Sequence, residues 1–146
     1  MTDSNKKSKQ FSAVAQTAEK PVLMTDPMQV LSSGSGSNPT IVLKADYIGA
    51  SDDALSHQLL QELMTGLLSL NEAPEAIIFY HQAVKLLLAD SPVIAALKKL
   101  QQEGTELVAC ELSMKTYANN EPVLGFKVSF CELVLQLSRA KNVLWF

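Results

Sequence analysis

Two apolar runs decide the reading: Ala76-Ile77-Ile78-Phe79-Tyr80 and Glu106-Leu107-Val108-Ala109-Cys110. Neither alternates between apolar and polar residues, and continuous runs suit strands buried on both faces, as in a parallel sheet. Between them Val84 to Leu88 offers a helical turn or two. Ser91-Pro92 then resets the chain, with Ser as the expected N-cap and Pro at the first helical position. Val93, Ile94, Leu97 and Leu100 make the apolar stripe of a helix that Gly104 closes.

Upstream, Ile41-Val42-Leu43 begins an apolar run through Tyr47-Ile48, read as a buried strand stopped at Gly49. Ser51, Asp52 and Asp53 are helix N-cap and first-turn residues. Leu55, Leu59, Leu63 and Leu67 follow at i+4, joined by Leu60, Met64 and Leu68, a wide stripe on a helix of about five turns. Gly66 inside it predicts the close approach of another backbone, and Asn71 and Pro74 end it. The stripe is wider than one sheet face needs, so a leftover apolar strip predicts self-association.

Downstream, Ser113 to Asn119 reads as a short helix, Asn119-Asn120-Glu121-Pro122 as a loop and Val123 to Val128 as a fourth strand. Ser129 and Glu132 are spaced as a capping box. The helix behind them presents Phe130, Leu133, Val134 and Leu137 on one face and ends near Ala140; Val143-Leu144-Trp145-Phe146 is a terminal strand. Repeated strand–helix units predict an α/β fold, a five-stranded, mostly parallel sheet with helices on both faces. Ligands in such folds bind beyond the carboxyl ends of the strands, which points at Tyr47–Asp53, Tyr80–Lys85, Cys110–Lys115 and Ser129–Glu132.

The chain has 146 residues, 47% hydrophobic and 18% charged, which suits one domain with a tail and excludes a wholly disordered chain. Residues 1–40 carry Lys6, Lys7, Lys9 and Lys20 against Asp3, Glu19 and Asp26, and end in Ser32-Ser33-Gly34-Ser35-Gly36-Ser37-Asn38-Pro39. They are expected to be a flexible tail and linker, with the folded domain at 41–146. The formal net charge of −3 argues against nucleic acid as the main partner. No apolar run reaches the ~20 residues of a membrane span, and no h-region follows the early lysines, so a cytoplasmic protein with no membrane partner is expected.

Chemistry-bearing residues are few. No GxGxxG or Walker A sequence is present, and neither a cofactor nor a metal is expected. Asp46, Asp52 and Asp53 could suggest a magnesium cluster, but Asp52 and Asp53 read more simply as helix caps. His57 lies in the first helix, and no Ser/His/Asp triad can be assembled. Cys110 ends the third strand, where a helix N-terminus and Lys115 would favour its thiolate; the bland reading is a small buried hydrophobe. Cys131, in the first turn of the last helix, is either a thiol at the same edge or a residue packed in the core beside Leu133 and Val134. Tyr80, His81, Lys85 and Ser113 flank the strand ends and are the candidate binding residues.

These pieces in order resemble a known family. Ala45-Asp46-Tyr47-Ile48-Gly49 with Asp52-Asp53-Ala54-Leu55, Ile77-Ile78-Phe79-Tyr80, Val84-Lys85-Leu86, Ser91-Pro92-Val93 and Gly104-Thr105-Glu106-Leu107-Val108-Ala109-Cys110 are similar to DsrE-like domains, specifically the carboxyl-terminal domain of YedF-type proteins. The resemblance covers residues 40–146. It implies a three-layer α/β/α fold and a homo-oligomer. It also implies a sulfur-handling role in which Cys110 accepts sulfur as a persulfide from a donor protein and passes it to an acceptor protein. Cys131 would then be a resolving thiol. The family's Cys-Gly-x-Cys motif reads Cys110-Glu111-Leu112-Ser113 here, so its second thiol is gone. The family's Asn-Met at the last long helix is Ser129-Phe130, and its preceding TusA-like domain has no counterpart in residues 1–40. The alternative expectation is a non-catalytic oligomeric binding module of the same fold.

Overall fold

A computed structural model describes residues 38–119 and 121–146. Nearly all of the expected tail, residues 1–37, and Asn120 lie outside the described residues. Strand β1 is Thr40–Leu43, helix α1 Ala54–Leu68, strand β2 Ala76–Phe79, and a 3-10 segment covers His81–Leu87. Helix α2 is Ile94–Gln102 and strand β3 Glu106–Cys110. A short α3, Glu111–Ser113, runs on as a π-type turn over Met114–Ala118. Strand β4 is Phe126–Val128, helix α4 Phe130–Arg139 and strand β5 Val143–Trp145.

The five strands form one sheet in the order β4-β3-β2-β1-β5, and every pairing is parallel. Because successive side chains alternate between faces, each central strand feeds two cores. Ile41, Leu43, Ile77, Phe79, Leu107 and Ala109 pack with Leu60, Met64, Leu97 and Leu100 from α1 and α2. Val42, Ile78, Val108 and Cys110 face the other way, under Leu133 of α4. The result is the expected three-layer α/β/α fold. Among the described residues no helix is long and apolar enough to cross a membrane.

The caps of the first and last helices are where the sequence places them, whereas Val93 and not Ser91 is the N-cap of α2. The Asp53 carboxylate accepts the N–H of Ser56 at 2.9 Å, and Ser129 with Glu132 forms a complete capping box on α4. Other details differ. The first strand stops at Leu43, its last paired residue, rather than running to Ile48; beyond it Lys44 is exposed and the chain bends until the Ile48 N–H meets the Ser56 carbonyl. The fourth strand begins at Phe126, not Val123, because Gly125, at φ +77, turns the backbone onto Leu107. Helix α2 starts two residues after Pro92, while the Ser91 hydroxyl accepts the Val93 N–H just ahead of it.

Three packing expectations are corrected. Among the described residues no backbone approaches Gly66: nothing lies within 4 Å of where its Cβ would sit. Phe130 and Val134 are 52% and 50% exposed, because the sheet-facing stripe of α4 is narrow and only Leu133 and Leu137 lie on it. Cys131 is exposed rather than packed in the core; two residues from Leu133, it lies on nearly the opposite side of the helix. On α1 a leftover strip does exist, since Leu55 and Leu59 are exposed while Leu60, Met64 and Leu67 are buried.

Candidate functional site

All five strands run the same way, so Leu43, Phe79, Cys110 and Val128 bring their following loops to one edge of the sheet. The side chains gathered there divide into two groups on opposite sides of the sheet.

The first group centres on His81. Its backbone sits at φ +56, the left-handed region that non-glycine residues seldom adopt. Two contacts hold it there. The His81 N–H donates to the Ser113 hydroxyl oxygen at 2.7 Å. The Tyr117 phenol lies 3.0 Å from Nε2 of His81 and donates to it when the ring proton sits on Nδ1, and the two rings stand 4.8 Å apart. Nearby on the same 3-10 segment, Lys85 Nζ forms an ion pair with Asp46 at 3.4 Å. Strain in a polar cluster at this edge is the arrangement commonly found where a fold binds something.

The second group surrounds Cys110. This residue is 2% exposed, and its side chain lies among Val42, Ile78, Val108 and Leu133. It precedes α3, yet strand alternation turns its thiol to the α4 face, away from His81, because Ala109 takes the other face. Tyr80 borders the same core, and its ring tilts against Phe130 with centroids 6.3 Å apart. Cys110 pairs with Val128 in the ladder, so Cys131 follows at the adjacent junction, as the topology implies. One thiol is buried and the other exposed, and neither is in a disulfide.

The structure therefore joins His81 and Ser113 of the candidate residues, gives Lys85 to Asp46, and sets Tyr80 and Cys110 in the opposite core. Tyr117 is the member missed in the sequence. Its signal was present: it lies four residues after Ser113 in a helical segment, the spacing that puts two side chains on one face. Asp52 pairs with the His57 ring, Asp53 caps α1 and Asp46 holds Lys85. Among the described residues no group of three or more His, Cys, Asp or Glu side chains is placed to hold a metal ion.

No family model matches the sequence, and no curated protein matches it. Among solved structures, the ychN protein from E. coli superposes with a TM-score of 0.50, covering 75% of this chain and 99% of its own, at 14% sequence identity. At that identity the likeness is one of fold.

Proposed function

We propose that this chain is a non-catalytic, self-associating binding module built on the DsrE-like fold. The observation that carries the reading is the burial of Cys110 at 2% exposure among aliphatic side chains. Sulfur transfer needs a thiolate that a donor can reach, and a thiol enclosed by these side chains is not accessible to one. Ser113, where the resembling family carries its second thiol, is engaged as an acceptor for the His81 N–H. Exposed apolar side chains on α1, α4 and β5 give the module surface to bury against a partner of its own kind. A cytoplasmic setting, which keeps both thiols reduced, belongs to the same reading.

A second reading keeps sulfur chemistry, and the place of Cys110 at the carboxyl end of β3 favours it. In it the Cys110 thiolate attacks the terminal sulfur of a donor protein's persulfide, the donor leaves as a thiolate, and an acceptor protein later removes the sulfur. Incubation of the folded chain with a persulfide donor, followed by mass spectrometry, separates the two. The module reading expects no added sulfur on Cys110. Sulfur found there, and absent in Cys110→Ser, would establish the relay instead.

A further inference from the structure

Strand β5 lies at the end of the sheet, with β1 on one side and nothing among the described residues on the other. Toward β1 its backbone is used: the Thr40 N–H donates to the Asn142 carbonyl at 2.8 Å, and the Phe146 N–H donates to the Val42 carbonyl at 2.9 Å. Backbone polar groups of successive strand residues point to opposite sides. Asn142, Leu144 and Phe146 therefore serve β1, and Val143 and Trp145 turn their N–H and C=O groups to the open edge. Native edges are normally guarded by charge, proline or a bulge. This one reads Val143-Leu144-Trp145-Phe146.

The side chains are unguarded on both faces. The ladder sets Leu144 beside Ile41, on the α1 and α2 face, and Trp145 beside Val42, on the α4 face. Leu144 is 43% exposed and Trp145 62% exposed. A helix docking on either face would cover only one of them and leave the backbone edge bare. An added strand covers both and pairs the backbone as well.

We propose that this edge is an interface between two copies of the chain, which pair β5 with β5 in antiparallel fashion to make one continuous sheet. The proposal rests on the self-associating reading above and names its surface. A two-fold axis at Leu144 fixes the register. Val143 of each copy then opposes Trp145 of the other as a hydrogen-bonded pair, and Leu144 opposes its own counterpart as the closer, non-hydrogen-bonded pair. Opposed residues share a face, so each Trp145 packs against a valine and Leu144 packs against leucine. Every outward backbone group named above is satisfied. The strand is thus complementary to itself in backbone, face and residue size. The side chains of Leu144, Trp145 and Phe146 leave on the order of 300 Å² per copy in water, well below the ~800 Å² per partner of a standard interface. Association is accordingly concentration-dependent rather than obligate.

Trp145 is the chain's one tryptophan, so it reports directly. Sedimentation of the full chain across the micromolar range should show mass rising from 15.9 kDa toward twice that value, with tryptophan emission moving to shorter wavelength in step. Trp145→Pro removes only an outward N–H and blocks the edge; Leu144→Lys places a charge at the axis while leaving Trp145 as reporter. Both should be monomeric with native circular dichroism. A wild-type monomer at tens of micromolar overturns both this interface and the self-associating reading. An oligomer that both variants leave intact overturns the interface alone. Emission already at short wavelength in a monomer places another segment of the same chain on the edge and also overturns it.

Discussion

The Ser113 hydroxyl accepts the backbone N–H of His81 at 2.7 Å, tying the end of β2 to the first turn after β3. Ser113 thus serves as a structural hydrogen-bond acceptor, a task oxygen performs better than sulfur.

Replacing that acceptor should be felt as stability. Ser113→Ala should cost about 1 kcal/mol in urea unfolding, the usual worth of one such bond. Ser113→Cys creates a Cys-x-x-Cys spacing with Cys110, yet mild oxidation should leave the introduced thiol unbridged to Cys110, whose own thiol points into the α4 core. A disulfide that forms readily between Cys110 and the introduced thiol, seen in a non-reducing digest, would show that Cys110 is within reach.

His81 tests the left-handed backbone. Asn tolerates that region and a β-branched residue does not. His81→Asn should fold with little change, whereas His81→Val should lose roughly 1–3 kcal/mol. Equal stabilities for the two variants in denaturant titrations would mean that φ +56 at this residue is not a constraint.

Two glycines should respond with opposite signs to the same change. At Gly125 a Cβ would sit 2.3 Å from the Leu107 carbonyl oxygen at a φ of +77, so Gly125→Ala should cost more than ~2 kcal/mol or prevent folding. Gly66 is helical, and among the described residues nothing lies within 4 Å of where its Cβ would sit, so Gly66→Ala should stabilise by up to about 1 kcal/mol. Thermal melts of the two variants decide this.

The cap on α1 predicts an acid limb. The Ser56 N–H, and after it the Ser51 hydroxyl, hold the Asp53 carboxyl below its ordinary value of 3.8. A carboxylate with a depressed folded-state pKa contributes stability above its unfolded value, and that contribution is lost as pH falls through the folded one. Asp53→Asn keeps a capping oxygen but should flatten the loss of stability below about pH 4. An unchanged acid unfolding curve would count against the cap's role.

Legibility followed the strength of each local signal. Continuous apolar runs are dictated by burial on two faces, so β2 and β3 were readable from Ala76–Phe79 and Glu106–Cys110, and the caps at Asp53 and Ser129 from their own spacing. The depth of the first strand was not readable, because pairing with β2 and β5 ends it and pairing partners are not written locally. The same limit applied to the candidate site. His81 and Ser113 were both placed at the right edge, but Tyr117 joins them only through the fold. The side to which Cys110 points depended on strand register, which one residue either way would have reversed.

The most direct test of the module reading counts reactive thiols in the native chain. At pH 7 a thiol reagent should modify the exposed Cys131 quickly and Cys110 only after unfolding, so one fast equivalent per chain is expected, falling to none in Cys131→Ser. A fast equivalent that survives in Cys131→Ser and disappears in Cys110→Ser would show an accessible Cys110 and contradict the account.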